Sequence, residues 1–415
     1  MYNSKEPIVT VLMPVYNGET FLEEAIESIL NQTYRNFEFL IINDGSTDNS
    51  ANIIEKYDDP RIRFINNEKN LKLYNTLNKG ISLARGKYIA RMDCDDISMP
   101  DRLEKQLAYM EDNPDVGITS GNLTQFIGQS DYIERVEHEE IRFRLLFYCC
   151  IVHPTVMMRK DFVKENNLLY KHSGAEDYDL WVRAIQYFKI EKLDECFLYY
   201  RYHNNQLTQT NTKEIKYSAN SIVQTQLSNL NISADRIDWE AHEAVAQNIA
   251  AKSRGDRLRG MLILPDKVAP TVEWINYLIA QNREMNIYNF LFESHLNQVR
   301  RDILLFQEML REVIKNAKGR KVYLFGSGKA GEVFLDYFNK IGFAVSGFLD
   351  NSPTRWGQTV QGIEVHNPDD LLNHNNDLFI IIATWTVRFR IDMIQQLKNI
   401  GLDKDADFTD LVPES

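Results

Sequence analysis

The stretch Lys87-Tyr88-Ile89-Ala90-Arg91-Met92, running straight into Asp93-Cys94-Asp95-Asp96, decides how the first half of the chain is read. A short apolar run bounded by polar residues is the pattern of a buried strand. Three carboxylates in four residues repel one another unless a cation sits among them, and hard oxygen donors in a loop suit Mg2+ or Mn2+. The plainer alternative is a solvated acidic turn in which Asp95 or Asp96 caps the next helix. What the strand belongs to decides between them, because ligands of open parallel sheets bind outside the carboxyl ends of the strands.

The residues upstream supply such a sheet. Ile8–Val15 and Phe37–Ile42 are near-continuous apolar runs and Ile62–Ile65 is a shorter one. Helical spacing occupies Thr20–Leu30, Asp48–Tyr57 and Leu73–Ala84 between them. This alternation predicts an α/β fold with a mostly parallel sheet and helices on both faces. Pro14-Val15-Tyr16-Asn17 closes the first strand with an aromatic ring and a turn. Asn43-Asp44-Gly45-Ser46 closes the second with an acidic acceptor able to pair with a base imide N–H. Lys72 precedes the helix that leads into the acidic loop, within reach of a base or a phosphate. Singly, Tyr16 is a surface tyrosine, Asp44 a turn residue and Lys72 a solvated lysine. Together with Asp93, Cys94 and Asp95 they describe a nucleotide–metal crevice.

Further along, Gly174-Ala175-Glu176-Asp177-Tyr178-Asp179-Leu180-Trp181 opens a helical stretch with an acidic first turn. Charge complementing a helix dipole accounts for this at about 0.3–1 kcal/mol. The same placement favours an ionised carboxylate, the form a general base must have. Tyr200-Arg201-Tyr202-His203 follows another strand pattern, and His153-Pro154 lies in a loop. Lone histidines in such places are ordinary surface or hydrogen-bonded residues unless a metal or substrate is near.

From about residue 207 to 318 strand signals vanish. The last helical stretch carries Met285, Tyr288, Phe292, Leu296, Val299, Ile303, Phe306, Leu310 and Val313, the seam of a bundle helix or coiled coil. Packing against the chain's own helices is one use of it, and a homodimer through residues 285–313 is the other. Residues 319–415 return to α/β. A strand at Arg320–Phe325 ends in Gly326-Ser327-Gly328-Lys329-Ala330-Gly331, and a second at Ala344–Leu349 ends in Asp350. This predicts a small Rossmann-like unit in which the glycines either let a nucleotide phosphate approach a helix N-terminus or serve the scaffold alone.

Composition sets the outer limits. Of 415 residues 44% are hydrophobic, which is enough for a sizeable core, and 59 acidic residues against 47 basic ones leave a net charge of −12. A general nucleic-acid partner is disfavoured by that sign. The four cysteines form no CxxC pair, and no apolar run approaches the roughly 20 residues of a spanning helix. These features predict a cytoplasmic protein, at most at the inner face of a membrane. The basic stretch Lys252, Arg254, Arg257, Arg259 would be its peripheral contact, unless it is a solvated helix face.

The segments PVYNGETFLEEAIESILNQTYRNFEFLIINDGSTD and LNKGISLARGKYIARMDCDDISMPDRLEKQ resemble glycosyltransferase family 2 enzymes of the GT-A fold, over roughly the first 205 residues. With the patterns downstream this gives three segments: a GT-A domain at 1–206, a helical linker or oligomerisation region at 207–318, and the Rossmann-like domain at 319–415. The resemblance implies an inverting, metal-dependent hexosyl- or N-acetylhexosaminyltransferase that uses a UDP-sugar, in polysaccharide biosynthesis. Tyr16 and Asp44 would hold uracil, with Pro14, Lys72, Asp93 and Cys94 also on the nucleotide sugar. Asp93 and Asp95 would form the DxD pair, with Asp95 and His203 on Mn2+ or Mg2+. Asp177 would be the base, and Glu176, Trp181 and His153 would face an oligosaccharide or lipid-linked acceptor. The competing expectation is a non-catalytic protein that binds nucleotide sugars as a scaffold of such a pathway.

Overall fold

All seven residues of Val9–Val15 are buried, as are all seven of Phe37–Asn43, which is what strands covered on both faces require. In the computed structural model, which describes residues 6–124, 133–171, 174–203, 206, 212–252, 261–372, 377–384 and 387–411, the chain divides into two units, Met1–Ala234 and Asp235–Ser415. The first unit runs β1 (Val9–Val15), α1 (Leu22–Leu30), β2 (Phe37–Asn43), α2 (Ser50–Glu55), β3 (Ile62–Asn66), α3 (Leu73–Leu83), β4 (Tyr88–Arg91) and β5 (Ile97–Ser98). It continues through α4 (Arg102–Asp112), β6 (Val116–Thr124), α5 (His138–Arg144), β7 (Met157–Arg159), α6 (Lys160–Glu165), α7 (Glu176–Ala184), β8 (Lys189–Tyr199) and α8 (Thr212–Asn229).

The eight strands form one sheet in the order β3-β2-β1-β4-β7-β6-β8-β5. The first four are parallel, as the sequence predicts. The second half is mixed: β7 runs antiparallel to both β4 and β6, β8 is parallel to β6, and β5 is antiparallel to β8. From β1 the chain winds outward to β2 and β3 on one side and then crosses to β4 on the other. The strand order therefore reverses between β1 and β4, where a crevice opens at the carboxyl ends. Helices close both faces. On α1 the buried residues are Leu22, Ala25, Ile26 and Ile29, at helical spacing. On α3, Gly80 lies so close to β1 that a Cβ there would stand 2.3 Å from Leu12 Cδ1, a distance no side chain tolerates.

In the second unit, helices Trp239–Lys252, Pro265–Met285 and Phe290–Asn316 precede a sheet of β9 (Lys321–Phe325), β10 (Gly347–Leu349), β11 (Thr359–Val360), β12 (Ile363–His366), β13 (Leu378–Ile382) and β14 (Phe408–Thr409). Its order is β11-β12-β10-β9-β13-β14, parallel except for the β11–β12 pair. The seam residues Phe292, Leu296, Val299, Ile303, Phe306, Leu310 and Val313 are all buried, and the last three join the core over the sheet. The seam thus packs within its own unit, the first of the two uses the sequence offers, while Phe290, Leu304 and Leu305 of the same helix are exposed. Among the described residues no helix is long and apolar enough to cross a membrane. Arg254, Arg257, Arg259 and the side chain of Lys252 lie outside the described residues, and so does the membrane contact expected of them.

Candidate active site

Loops from three adjacent strand ends line the crevice. After β1, Tyr16 is half exposed, and Asn17, in the left-handed region at φ 51°, crosses to the loop after β2. Its N–H donates to Ser46 Oγ at 2.9 Å and its Oδ1 accepts from Thr47 N at 2.8 Å. Pro14 is buried in the last turn of the strand. Asp44 is 3% exposed and its N–H is held by Val15 O at 2.7 Å. Its Oδ1 accepts from Asn67 Nδ2 at 2.8 Å and Leu71 N at 2.9 Å, while Oδ2 has no partner among the described residues. Lys72 is exposed at the start of α3, with φ 75° and ψ 151°, a backbone region that L-residues avoid and that recurs at ligand clamps.

After β4, one ligand oxygen from each of Asp93, Asp95 and Asp96 lies within 4.8 Å of the others. The three carboxylates have different partners. Asp93 is paired with the nearly buried guanidinium of Arg91. Asp95 Oδ2 is 2.9 Å from His203 Nε2. Asp96 Oδ1 accepts from Arg201 N at 3.1 Å, and its buried Oδ2 has no partner among the described residues. Burial, then the neighbouring carboxylates, pushes Asp96 up to about 8; burial pushes Asp93 up to about 6 against the pull of Arg91. An orphaned buried carboxylate oxygen beside two more carboxylates and an imidazole is a donor set that fits Mn2+ or Mg2+. Cys94 faces the loop after β1: a Cβ on Gly18 would stand 2.9 Å from its sulfur, and burial followed by Asp95 and Asp93 holds its thiol well above the usual range.

Asp177 occupies the first turn of α7. Its Oδ1 accepts from Tyr178 N at 2.8 Å, and the Cys149 thiol lies 3.9 Å from Oδ2. Burial raises its pKa, and burial together with the Asp177 charge pushes Glu176 up to about 7. Asp177 in turn contributes to the raised Asp93, so the base candidate and the acidic loop share one electrostatic environment. Asp179, a rival by sequence, is engaged by Arg183 at 2.6 Å.

Two expected acceptor residues lie deeper than the sequence suggests. Trp181 has no exposed surface, and His153 is 8% exposed with Nε2 2.9 Å from Tyr170 OH. The His153 and Trp181 rings meet edge-on at 5.7 Å. Trp181 Nε1 is buried with no partner among the described residues, and burial keeps the His153 pKa well below that of a free imidazole. Trp181→Ala is expected to cost about 3–5 kcal/mol of stability, read as a lowered unfolding midpoint, whereas Trp181→Phe, which keeps an aromatic ring, should cost less. Sequence inspection overlooked Arg91, Tyr170 and Phe21. A charged residue inside the apolar β4 run was the available signal for Arg91.

In the second unit, the Gly-rich loop joins β9 to helix Lys329–Lys340 as expected. Gly326, at φ 114°, would bring a Cβ within 2.7 Å of Ala383 O. Ser327 donates through both N and Oγ to Asp350 Oδ2, at 2.9 and 2.6 Å, and Arg355 donates to Ser327 O at 2.8 Å.

A parallel half-sheet with a carboxylate loop at its reversal point and an acidic helix start nearby defines the class of open α/β proteins that bind a ligand outside the carboxyl ends of the strands. The family model for glycosyl transferase family 2 matches residues 10–168. A glycosyltransferase of Methanocaldococcus jannaschii is 39% identical over 210 residues, 48% of this chain and 72% of that protein. The O-antigen biosynthesis glycosyltransferase WbnJ of Escherichia coli is 34% identical over 206 residues, 48% of this chain and 80% of that one. The crystal structure of S. aureus TarS 1–349 in complex with UDP-GlcNAc aligns at 19% identity and TM-score 0.47, covering 73% of this chain and 91% of that chain. The chain belongs to glycosyltransferase family 2.

Proposed function

We propose that the protein transfers a hexosyl or N-acetylhexosaminyl group from a UDP-sugar to a hydroxyl of a glycan or lipid-linked saccharide, with inversion, in polysaccharide biosynthesis. The observation that carries this is the 2.9 Å approach of His203 to Asp95, at the loop that also holds Asp93, with the half-free Asp44 at the end of β2 on the other side of β1. The catalytic role is confined to residues 1–206. Asp44 Oδ2 accepts the uracil imide N–H, Tyr16 stacks on the base, and Pro14 and Cys94 shape the floor. Lys72 meets the phosphates and Asp93, held by Arg91, takes the ribose. Asp95 and His203 would hold Mn2+ or Mg2+, which supplies Lewis-acid stabilisation of the departing diphosphate.

Asp177 removes the acceptor proton as that oxygen attacks the anomeric carbon. The bond to the UDP oxygen breaks on the opposite face, which inverts the centre. Glu176 borders the acceptor. The name of the E. coli relative, an O-antigen biosynthesis glycosyltransferase, supports the pathway. For residues 319–415 a scaffold role is favoured over nucleotide binding, because Ser327 and Asp350 are engaged with each other.

UDP with Mn2+ is expected to raise the unfolding midpoint, since ligand at 100 times its Kd adds about 2.7 kcal/mol. Asp44→Asn should weaken UDP binding about ten- to a hundredfold, the range for a hydrogen bond to a charged group. No stabilisation by any UDP species would rule out the donor assignment.

A further inference from the structure

Helix α1 is preceded by a residue whose side chain does nothing for its first turn. The flanking position is Phe21, at φ −121° and ψ −9°, with no side-chain cap, where Ser, Thr, Asp or Asn would satisfy a free N–H. The ring serves another contact instead. Its centroid lies 4.9 Å from the His203 ring, and the Arg201 guanidinium carbon stands 5.0 Å over it. Arg201 is anchored on its own account. Its side chain pairs with Glu24 on α1, its N–H donates to Asp96 Oδ1 at 3.1 Å, and its carbonyl accepts from Gln206 Nε2 at 2.8 Å. Gln206 Oε1 in turn accepts from His203 N at 3.3 Å.

His203 Nε2 reaches Asp95, but Nδ1 has no hydrogen-bond partner among the described residues. A metal-binding imidazole is normally oriented by a bond from its second nitrogen. Here the ring contact is what remains to orient it. We infer that Phe21, braced by the Arg201–Glu24 pair, is a positioning residue that aims His203 at Asp95 and thereby sets the divalent-cation affinity of the site. The inference rests on the proposed role of His203 as a metal ligand.

The test is Mn2+ binding by the full chain, followed by electron paramagnetic resonance of the free ion, with and without UDP. Phe21→Leu is expected to weaken Mn2+ about tenfold, as loss of an outer-shell partner does, and Phe21→Tyr to keep wild-type affinity. The double variant Phe21→Leu/His203→Ala should bind no worse than His203→Ala, since coupled residues are not additive. Unchanged affinity in Phe21→Leu, or losses that multiply in the double variant, would overturn the inference while leaving the His203 role intact. Unchanged affinity in His203→Ala would remove that role and the inference with it. If Phe21→Leu does not fold, Glu24→Gln tests the same brace from an exposed side chain: about a two- to threefold loss is expected for an exposed pair, and no loss overturns the brace.

Discussion

Asp177→Asn is expected to lower the turnover of sugar transfer about 10²–10⁴-fold, the usual worth of a general base, with UDP and Mn2+ binding unchanged. Asparagine keeps an oxygen that can accept from Tyr178 N, now 2.8 Å from Oδ1, so the start of α7 survives and only the proton acceptor is lost. The pH profile carries a second signature. Burial raises the Asp177 pKa above 3.8, opposed by the Tyr178 N–H and by Arg91. The base works only when ionised, so kcat/KM should fall as pH drops through a point above the ordinary aspartate value. Release of UDP in the presence of acceptor, measured across about pH 4 to 8, reads both effects. Near-normal turnover in Asp177→Asn would move the role to Glu176. Asp179 is not its successor, because Arg183 holds it.

The parallel half of the sheet was legible because β1 and β2 are buried on both faces and so read as unbroken apolar runs. Their polar ends were legible for the same reason, since a run that stops at Asp44 or Asp93 marks a strand mouth. The antiparallel half was not. β7 is three residues long and β5 two, too short for any periodicity to register. Depth was also hidden: Trp181 and His153 follow local patterns compatible with a cleft wall, yet mutual packing encloses both. Contacts between distant positions leave no local trace either. Nothing near Phe21 in the chain points to His203, and nothing in the Gly-rich loop tells that Asp350 will turn onto Ser327. The seam of helix Phe290–Asn316 was visible as a seam, but its partner was decided by the rest of the unit.

Asp95→Ala is expected to eliminate Mn2+-dependent stabilisation by UDP and to reduce transfer by about 10³-fold or more, since it removes electrostatic stabilisation where leaving-group charge develops. The neighbouring carboxylates offer less than the full set: Asp93 is held by Arg91, and Asp96 keeps one oxygen on Arg201 N, leaving its buried Oδ2 alone for an ion. His203 meanwhile loses the group it faces at 2.9 Å. The fold itself should not suffer. Asp95 adds its charge to the burial that already raises both Asp93 and Asp96, so removing it relieves repulsion in the protein without ligand. The unfolding midpoint of the unliganded variant is therefore expected to equal or slightly exceed wild type, and the loss of activity cannot be assigned to unfolding. A variant that keeps Mn2+-dependent UDP binding would show that Asp93 or Asp96 is the ligand instead. Arg91 would then have to release Asp93, and Arg91→Met, which frees that carboxylate, should in that case tighten Mn2+ binding.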